Sequence, residues 1–189
     1  MNRPESVDEL KSVWKILEAD LAAAVDYGQA ANTEYAQRAL IRAFYAAVEG
    51  LTFQLRSVIL ASSGGTGILS ASEEALLREE RYSLDGTGKP KSSQSFLPFL
   101  EGLLFSIRTY VKNHGATYSP DLSGTGWRAM KHATDARNRV THPKSAASLT
   151  LTDHDLLALR SAFDWWHSTM LAMFNACEIA DADYRAKSR

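Results

Sequence analysis

With 189 residues, 45% of them hydrophobic and 23% charged, the chain has the composition of one ordinary folded domain, which excludes wholesale disorder and leaves too little length for two comfortable domains. Its formal net charge of −1 excludes the global basic bias of a protein that coats nucleic acid, so any contact with RNA or DNA falls to a local patch. A single cysteine, Cys177, excludes an intramolecular disulfide framework and reads as a buried thiol among apolar neighbours. The first residues lack the apolar run of a signal peptide, and no apolar segment approaches the ~20 residues that cross a bilayer, so a cytoplasmic location without membrane contact is expected.

Apolar residues recur at three- and four-residue steps from Ser6 to about Asp26 (Leu10, Val13, Trp14, Leu17, Leu21, Val25), which predicts a first helix opened by a Ser6–Glu9 capping box and closed at Gly28. A second helix is expected from Thr33 to Ala61. Its apolar stripe is Leu40, Phe44, Val48, Leu51, Leu55 and Val58, and a polar stripe of Arg42, Tyr45, Glu49, Thr52 and Arg56 runs along another face. The glycines around residues 62–69 break it; no lysine follows them as a phosphate loop requires, so they read as a connection. A short helix over Ser70–Tyr82 and a turn-rich loop at 84–94 come next, then a helix from Ser95 to Asn113 stopped at His114-Gly115, and a loop at 114–126. Trp127–Thr141 and a long helix from Thr152-Asp153 to about Tyr184 complete the chain, the latter turning Leu156, Leu159, Phe163, Trp166, Met170, Met173 and Cys177 inward. Strand signals are weak throughout. The expectation is a single all-α domain over 1–189, a bundle of five to six helices.

Three arginines are followed, after four to six intervening residues, by a histidine: Arg108/His114, Arg137/His142 and Arg160/His167. An arginine fixes a phosphate with a permanent planar charge, and a histidine moves a proton near neutral pH, so such a pair is a minimal kit for cutting a phosphodiester. The last pair lies inside one helix and the first meets a helix end that explains its histidine by the dipole. Arg137/His142 stands apart because Asn138 follows the arginine, Pro143 takes the histidine out of helical geometry, and Arg128, Lys131, Arg137, Arg139 and Lys144 face one acid, Asp135, over Trp127–Lys144. The plainer reading of the same residues is an exposed helix end with Asp135–Arg139 pairing and His142 capping a carbonyl.

The run Arg137-Asn138-Arg139-Val140-Thr141-His142-Pro143, between the last two long helices of an all-α chain, resembles the HEPN family, the nucleotide-binding domain shared by higher eukaryotes and prokaryotes. The order of helices is similar from about Thr33 to Ala180, and Arg137 to Pro143 is the specific part. The resemblance implies a symmetric homodimer with the two motifs facing each other and, as in many members, endoribonuclease activity without metal or other cofactor, often in a toxin or anti-phage effector with an antitoxin partner. It makes Arg137 and His142 the catalytic pair and Asn138 a supporting polar group. Glu49 and Arg42 on the second helix are candidates for further support, and Lys131, Arg139 and Lys144 for RNA contacts. The expected chemistry is attack of a 2′-hydroxyl on the adjacent phosphorus. The alternative from another class is a non-catalytic helical dimer that binds RNA, a nucleotide or a partner protein.

Overall fold

The computed structural model describes residues 3–63 and 67–187. It is mostly helical, with six α-helices and a small two-stranded sheet among the described residues, which is the all-α architecture expected from the sequence. In chain order these are α1 (Arg3–Ala31), α2 (Glu34–Ser63), α3 (Ala71–Leu77), β1 (Glu80–Leu84), β2 (Pro90–Gln94), α4 (Phe99–Asn113), α5 (Thr125–Thr141), a 3-10 turn at Ala146–Leu149, and α6 (Asp153–Lys187). No helix among them is long and apolar enough to cross a membrane. The expected break at Gly64, Gly65 and Thr66 lies outside the described residues.

The chain forms two compact units. One draws on the segment up to Leu10, Thr52–Tyr118 and the residues from Ala176 onward; the other on Lys11–Leu51 and Ser119–Asn175.

In the second unit, the apolar stripe of α2 buries Ile41, Phe44 and Val48, α5 buries Trp127, Met130, Ala133 and Val140, and α6 buries Leu159, Ala162, Trp165, Trp166 and Met170. The aromatic rings interlock: Phe44 meets Trp166 at 5.8 Å between centroids and Phe163 at 6.0 Å, Trp14 meets Trp166 at 5.7 Å, and Trp127 meets Trp165 at 5.0 Å. Gly126 makes the last contact feasible, because a Cβ there would sit 2.7 Å from the Trp165 Cβ. The sequence suggests Trp165, Trp166, Met170 and Phe174 as apolar surface left over for a dimer contact. The structure corrects this: the first three are buried and Phe174 is half-buried, since α2 and α5 pack against two sides of α6.

Helix α1 differs from expectation at both ends. It starts at Arg3, so Ser6 lies buried inside it rather than capping it, and it runs through Gly28. A glycine inside a helix costs about 1 kcal/mol and does not forbid it. The stop comes at Asn32, whose φ of 39° is left-handed and whose N–H donates to the Gly28 carbonyl at 3.1 Å. Thr33 then caps α2 by accepting from the Ala36 N–H at 3.2 Å.

In the first unit, α2 buries Leu55, Val58 and Ile59, α4 buries Leu103, Ile107 and Val111, and α6 contributes Cys177. Burial, together with the Asp181 charge, pushes that thiol up to about 11, in keeping with a packing role. Ser70 and Glu73 form the expected capping box, Ser70 N–H donating to the Glu73 carboxylate at 2.8 Å and the Glu73 N–H to Ser70 Oγ at 3.2 Å.

The helix expected to reach Tyr82, and the loop expected at 84–94, are instead a short helix and a hairpin. Glu79 takes a φ of 54° and ends the helical run, and its carboxylate is held by Arg56 at 2.6 Å. Strands β1 and β2 then pair antiparallel with Tyr82 opposite Ser92. Asp85 shapes the turn by accepting from the N–H groups of Thr87 at 2.8 Å and Lys89 at 2.9 Å. The hairpin escapes a reading by hydrophobic period because its strands have no buried face: both are built largely from serine, lysine, arginine and glutamate.

Candidate functional site

Helix α5 ends at Thr141, one residue before His142 and two before Pro143, as the proline requires. His142 occupies the C-cap position with φ −124° and ψ 63°, and its backbone N–H donates to the Asn138 carbonyl at 3.0 Å. Its imidazole is exposed and, among the described residues, has no recorded hydrogen-bond partner. The side chain is therefore neither a carbonyl cap nor half of an ion pair.

Arg137 is held on three sides. Its guanidinium bonds the Glu49 carboxylate on α2, donates to Asn138 Oδ1 at 3.0 Å and lies 5.8 Å from the centroid of the Tyr45 ring. Tyr45 lies beneath, its hydroxyl 3.0 Å from Thr134 Oγ1 and within 3.4 Å of the Met130 carbonyl. Burial drives the phenol well above its ordinary range, against the opposing Thr134 bond and Arg137 charge, so Tyr45 is a neutral prop and not a base. Glu49 thus joins Arg137, as the sequence suggests. Arg42 does not: its guanidinium reaches the Val140 carbonyl at 3.4 Å and closes the last turn of α5.

Arg137 is held towards α2 by Glu49, and His142 occupies the C-cap, beyond the last helical residue. The proline takes the histidine out of helical geometry as expected, but among the described residues no contact between the two side chains is recorded.

The opposite side of α5 carries a second polar cluster that the sequence reading missed. Asp155, 3% exposed, accepts from Arg139 at 2.9 Å and from the Thr152 N–H and hydroxyl at 2.9 Å each, and its other oxygen lies 3.0 Å from His132 Nε2. The His154 ring is 4.2 Å from that of His132. Burial alone would raise the Asp155 carboxyl, but the Thr152 and Arg139 hydrogen bonds outweigh it and bring it down to about 2. Thr152-x-x-Asp155 was readable as a capping box, and His132 and Arg139, seven residues apart, as neighbours on one helical face; what no local signal shows is that the cap and the face meet.

This cluster fastens the start of α6 to the end of α5. Asp155→Ala removes the cap and leaves Arg139 without its acid, an expected loss of about 2 kcal/mol, or ~4–8 °C in melting temperature at this size. A calorimetric Tm within about a degree of the parent would refute that role. Because the folded carboxyl is depressed, its stabilisation is complete above the ordinary carboxylate range and is lost as the pH falls towards about 2.

The basic patch read from Trp127–Lys144 is accordingly smaller than its residue count. Arg137 is matched by Glu49 and Arg139 by Asp155, rather than by Asp135, while Arg128 donates to the Ser123 carbonyl. Lys131 and Lys144 are exposed, and no carboxylate partner is recorded for either among the described residues.

The two other arginine–histidine pairs have structural roles for their histidines. His114 Nδ1 lies 3.1 Å from Asp181, its ring 4.6 Å from Tyr110, and its side chain is 7% exposed. His167 stacks on Phe163 at 5.7 Å with an interplanar angle of 11°, and with Arg160 it lines a half-open cavity of about 780 Å³ in the second unit. Among the described residues, no group of three or more histidine, cysteine, aspartate or glutamate side chains could hold a metal ion. Compared with known proteins, the chain matches no family model, no curated protein and no solved structure.

Proposed function

We propose that the chain is an endoribonuclease that acts as a homodimer, with Arg137 and His142 as its catalytic pair. The observation that carries this reading is the contrast at the end of α5: an exposed imidazole with no recorded partner, on the same short segment as a guanidinium fixed by Glu49, Asn138 and Tyr45. A histidine at a helix end with no recorded partner among the described residues is available for proton transfer, and an arginine pinned in place loses little freedom on meeting a phosphate.

In the proposed reaction, His142 takes the proton of the 2′-hydroxyl as its oxygen bonds to phosphorus. The bond from phosphorus to the 5′-oxygen breaks, and that oxygen takes its proton from water, whose hydroxide is neutralised by the imidazolium as His142 returns to its neutral form. Arg137, which keeps further N–H donors beyond those facing Glu49 and Asn138, stabilises the charge on the phosphoryl oxygens. Asn138 holds Arg137 in place. Lys131 and Lys144, exposed on α5 and just beyond it, contact the strand. The resemblance of the motif adds that such a nuclease serves as a toxin or anti-phage effector, with an antitoxin protein as its partner.

A second reading is favoured by the Glu49 ion pair, which already balances the Arg137 charge: a dimer that binds RNA, a nucleotide or a protein without cutting. One experiment separates the two. The protein is incubated with mixed RNA in EDTA and the new ends are analysed. Cleavage to 2′,3′-cyclic phosphate and 5′-hydroxyl ends is expected. Intact RNA that is nevertheless retained by the protein would favour the second reading, and cleavage restored only by magnesium would overturn the mechanism.

A further inference from the structure

The β1–β2 hairpin of the first unit has no role in the site described above, and its construction is unusual. A two-stranded ribbon is marginal by itself and normally rests one face on a core. Here every residue of β2 is exposed, and β1 half-buries only Glu80 and Ser83. Partners opposite one another share a face, and so do residues two apart along a strand. The register Arg81–Ser93 and Ser83–Lys91 therefore gathers Arg81, Lys91, Ser83 and Ser93 on one face, with Lys89 continuing it at the turn.

Among the described residues, no carboxylate partner is recorded for Arg81, Lys89 or Lys91, and all three are exposed. The acids nearby are occupied. Glu79 is held by Arg56 at the base of the ribbon, Glu80 accepts the Tyr82 hydroxyl at 2.5 Å on the opposite face, and Asp85 is turned into the loop, where its Oδ1 accepts from Thr87 and Lys89 N–H groups. Those loop bonds, led by the Thr87 hydroxyl, hold the Asp85 carboxyl below its ordinary range, so it stays charged. One face thus offers three cations and the Ser83 hydroxyl against one charged acid at the turn, Asp85, and one at the base, Glu79, which Arg56 neutralises, in a chain whose net charge is −1. Such a face complements a line of phosphates and not an apolar or basic partner.

We infer that the hairpin is an RNA-binding arm: Arg81, Lys89 and Lys91 contact the phosphates of a single strand, and Ser83 adds a hydrogen bond to a phosphate or sugar oxygen. Two-stranded ribbons serve as nucleic-acid-binding elements in other architectures, which shows that the geometry is sufficient. The inference rests on the proposed activity for the identity of the polyanion, and it adds a binding element that acts on affinity and not on the chemical step.

The test is a salt titration of binding between the whole protein and a labelled uridylate oligomer, with the parent and the triple variant Arg81→Gln, Lys89→Gln, Lys91→Gln. These side chains are exposed, with no ion-pair partner recorded among the described residues, so the variant is expected to keep the parent's circular dichroism and Tm. Each phosphate contact to a single strand contributes about 0.7 to the slope of log K against log salt, so the variant is expected to lose about 2 from that slope and ~10–100-fold in affinity. In cleavage assays KM rises while kcat is kept. Unchanged slope and affinity in the variant, with the parent binding or cutting RNA, would overturn the arm and leave the nuclease reading standing. No binding or cleavage by the parent would overturn both. A polyglutamate of equal length that binds the parent as tightly as RNA does would assign the arm to an acidic protein and overturn the RNA assignment.

Discussion

His142→Ala is expected to lower RNA cleavage by about 10²–10⁴-fold, the usual worth of a positioned proton-transfer group, with no measurable loss of stability. The second half of that expectation comes from the structure: the imidazole is exposed at a helix end and, among the described residues, has no recorded partner, so its removal breaks nothing that holds the fold. Single-turnover cleavage rates and melting temperatures of parent and variant are the measurements. His167→Ala is the control, since His167 also lies on a helix after an arginine but is stacked on Phe163 beside the cavity, and it should keep most of the parent's rate. His114→Ala is a poor control, because that ring is nearly buried against Asp181 and its loss disturbs packing. A parent-like rate in His142→Ala would remove the residue from the catalytic pair.

The second large effect is expected when two inactive proteins are mixed. Arg137→Ala removes the charge that steadies the phosphoryl oxygens, an effect of about 10²–10³-fold by analogy with other transition-state donors, and Arg137→Lys restores little because an ammonium lacks the planar fork. Arg137 is held towards α2 by Glu49, and among the described residues no contact between its side chain and that of His142 is recorded. A site that joins the arginine of one copy to the histidine of the other satisfies this arrangement across a two-fold axis. Equal amounts of Arg137→Ala and His142→Ala chains, unfolded together and refolded, should then regain roughly a quarter of the parent's activity, since half of the dimers are mixed and each has one intact site. Sites built within one chain would regain none. The same samples in light scattering report whether the chain is a dimer at all.

The long helices were legible because each has an apolar stripe with a helical period that the fold then uses. Phe44, Val48, Leu51, Leu55 and Val58 are all buried on α2, and the inward residues expected on α6 are buried or half-buried. The stop at Pro143 was legible because it is a covalent constraint. Three things were not. The end of α1 depends on Asn32 adopting a left-handed conformation and not on the glycine before it, a choice made by the whole helix pair. The hairpin has no apolar alternation to read, since neither of its faces belongs to a core. Around the motif, the composition of α5 reports its charges but not their partners: Glu49 is 88 residues from Arg137 and Asp155 is 16 from Arg139, so which cations stay free is a property of the packing.

The chain has four tryptophans, Trp14, Trp127, Trp165 and Trp166, and every one belongs to the segments Lys11–Leu51 and Ser119–Asn175. Intrinsic fluorescence excited through tryptophan therefore reads only the unit that carries Arg137 and His142, while far-ultraviolet dichroism reads the helices of both units. The two optical signals, followed through one denaturant titration, turn the division of the chain into an observable: superimposed curves mean that both units melt as one cooperative body, and separated midpoints mean that Arg137 and His142 stand on a unit with a stability of its own.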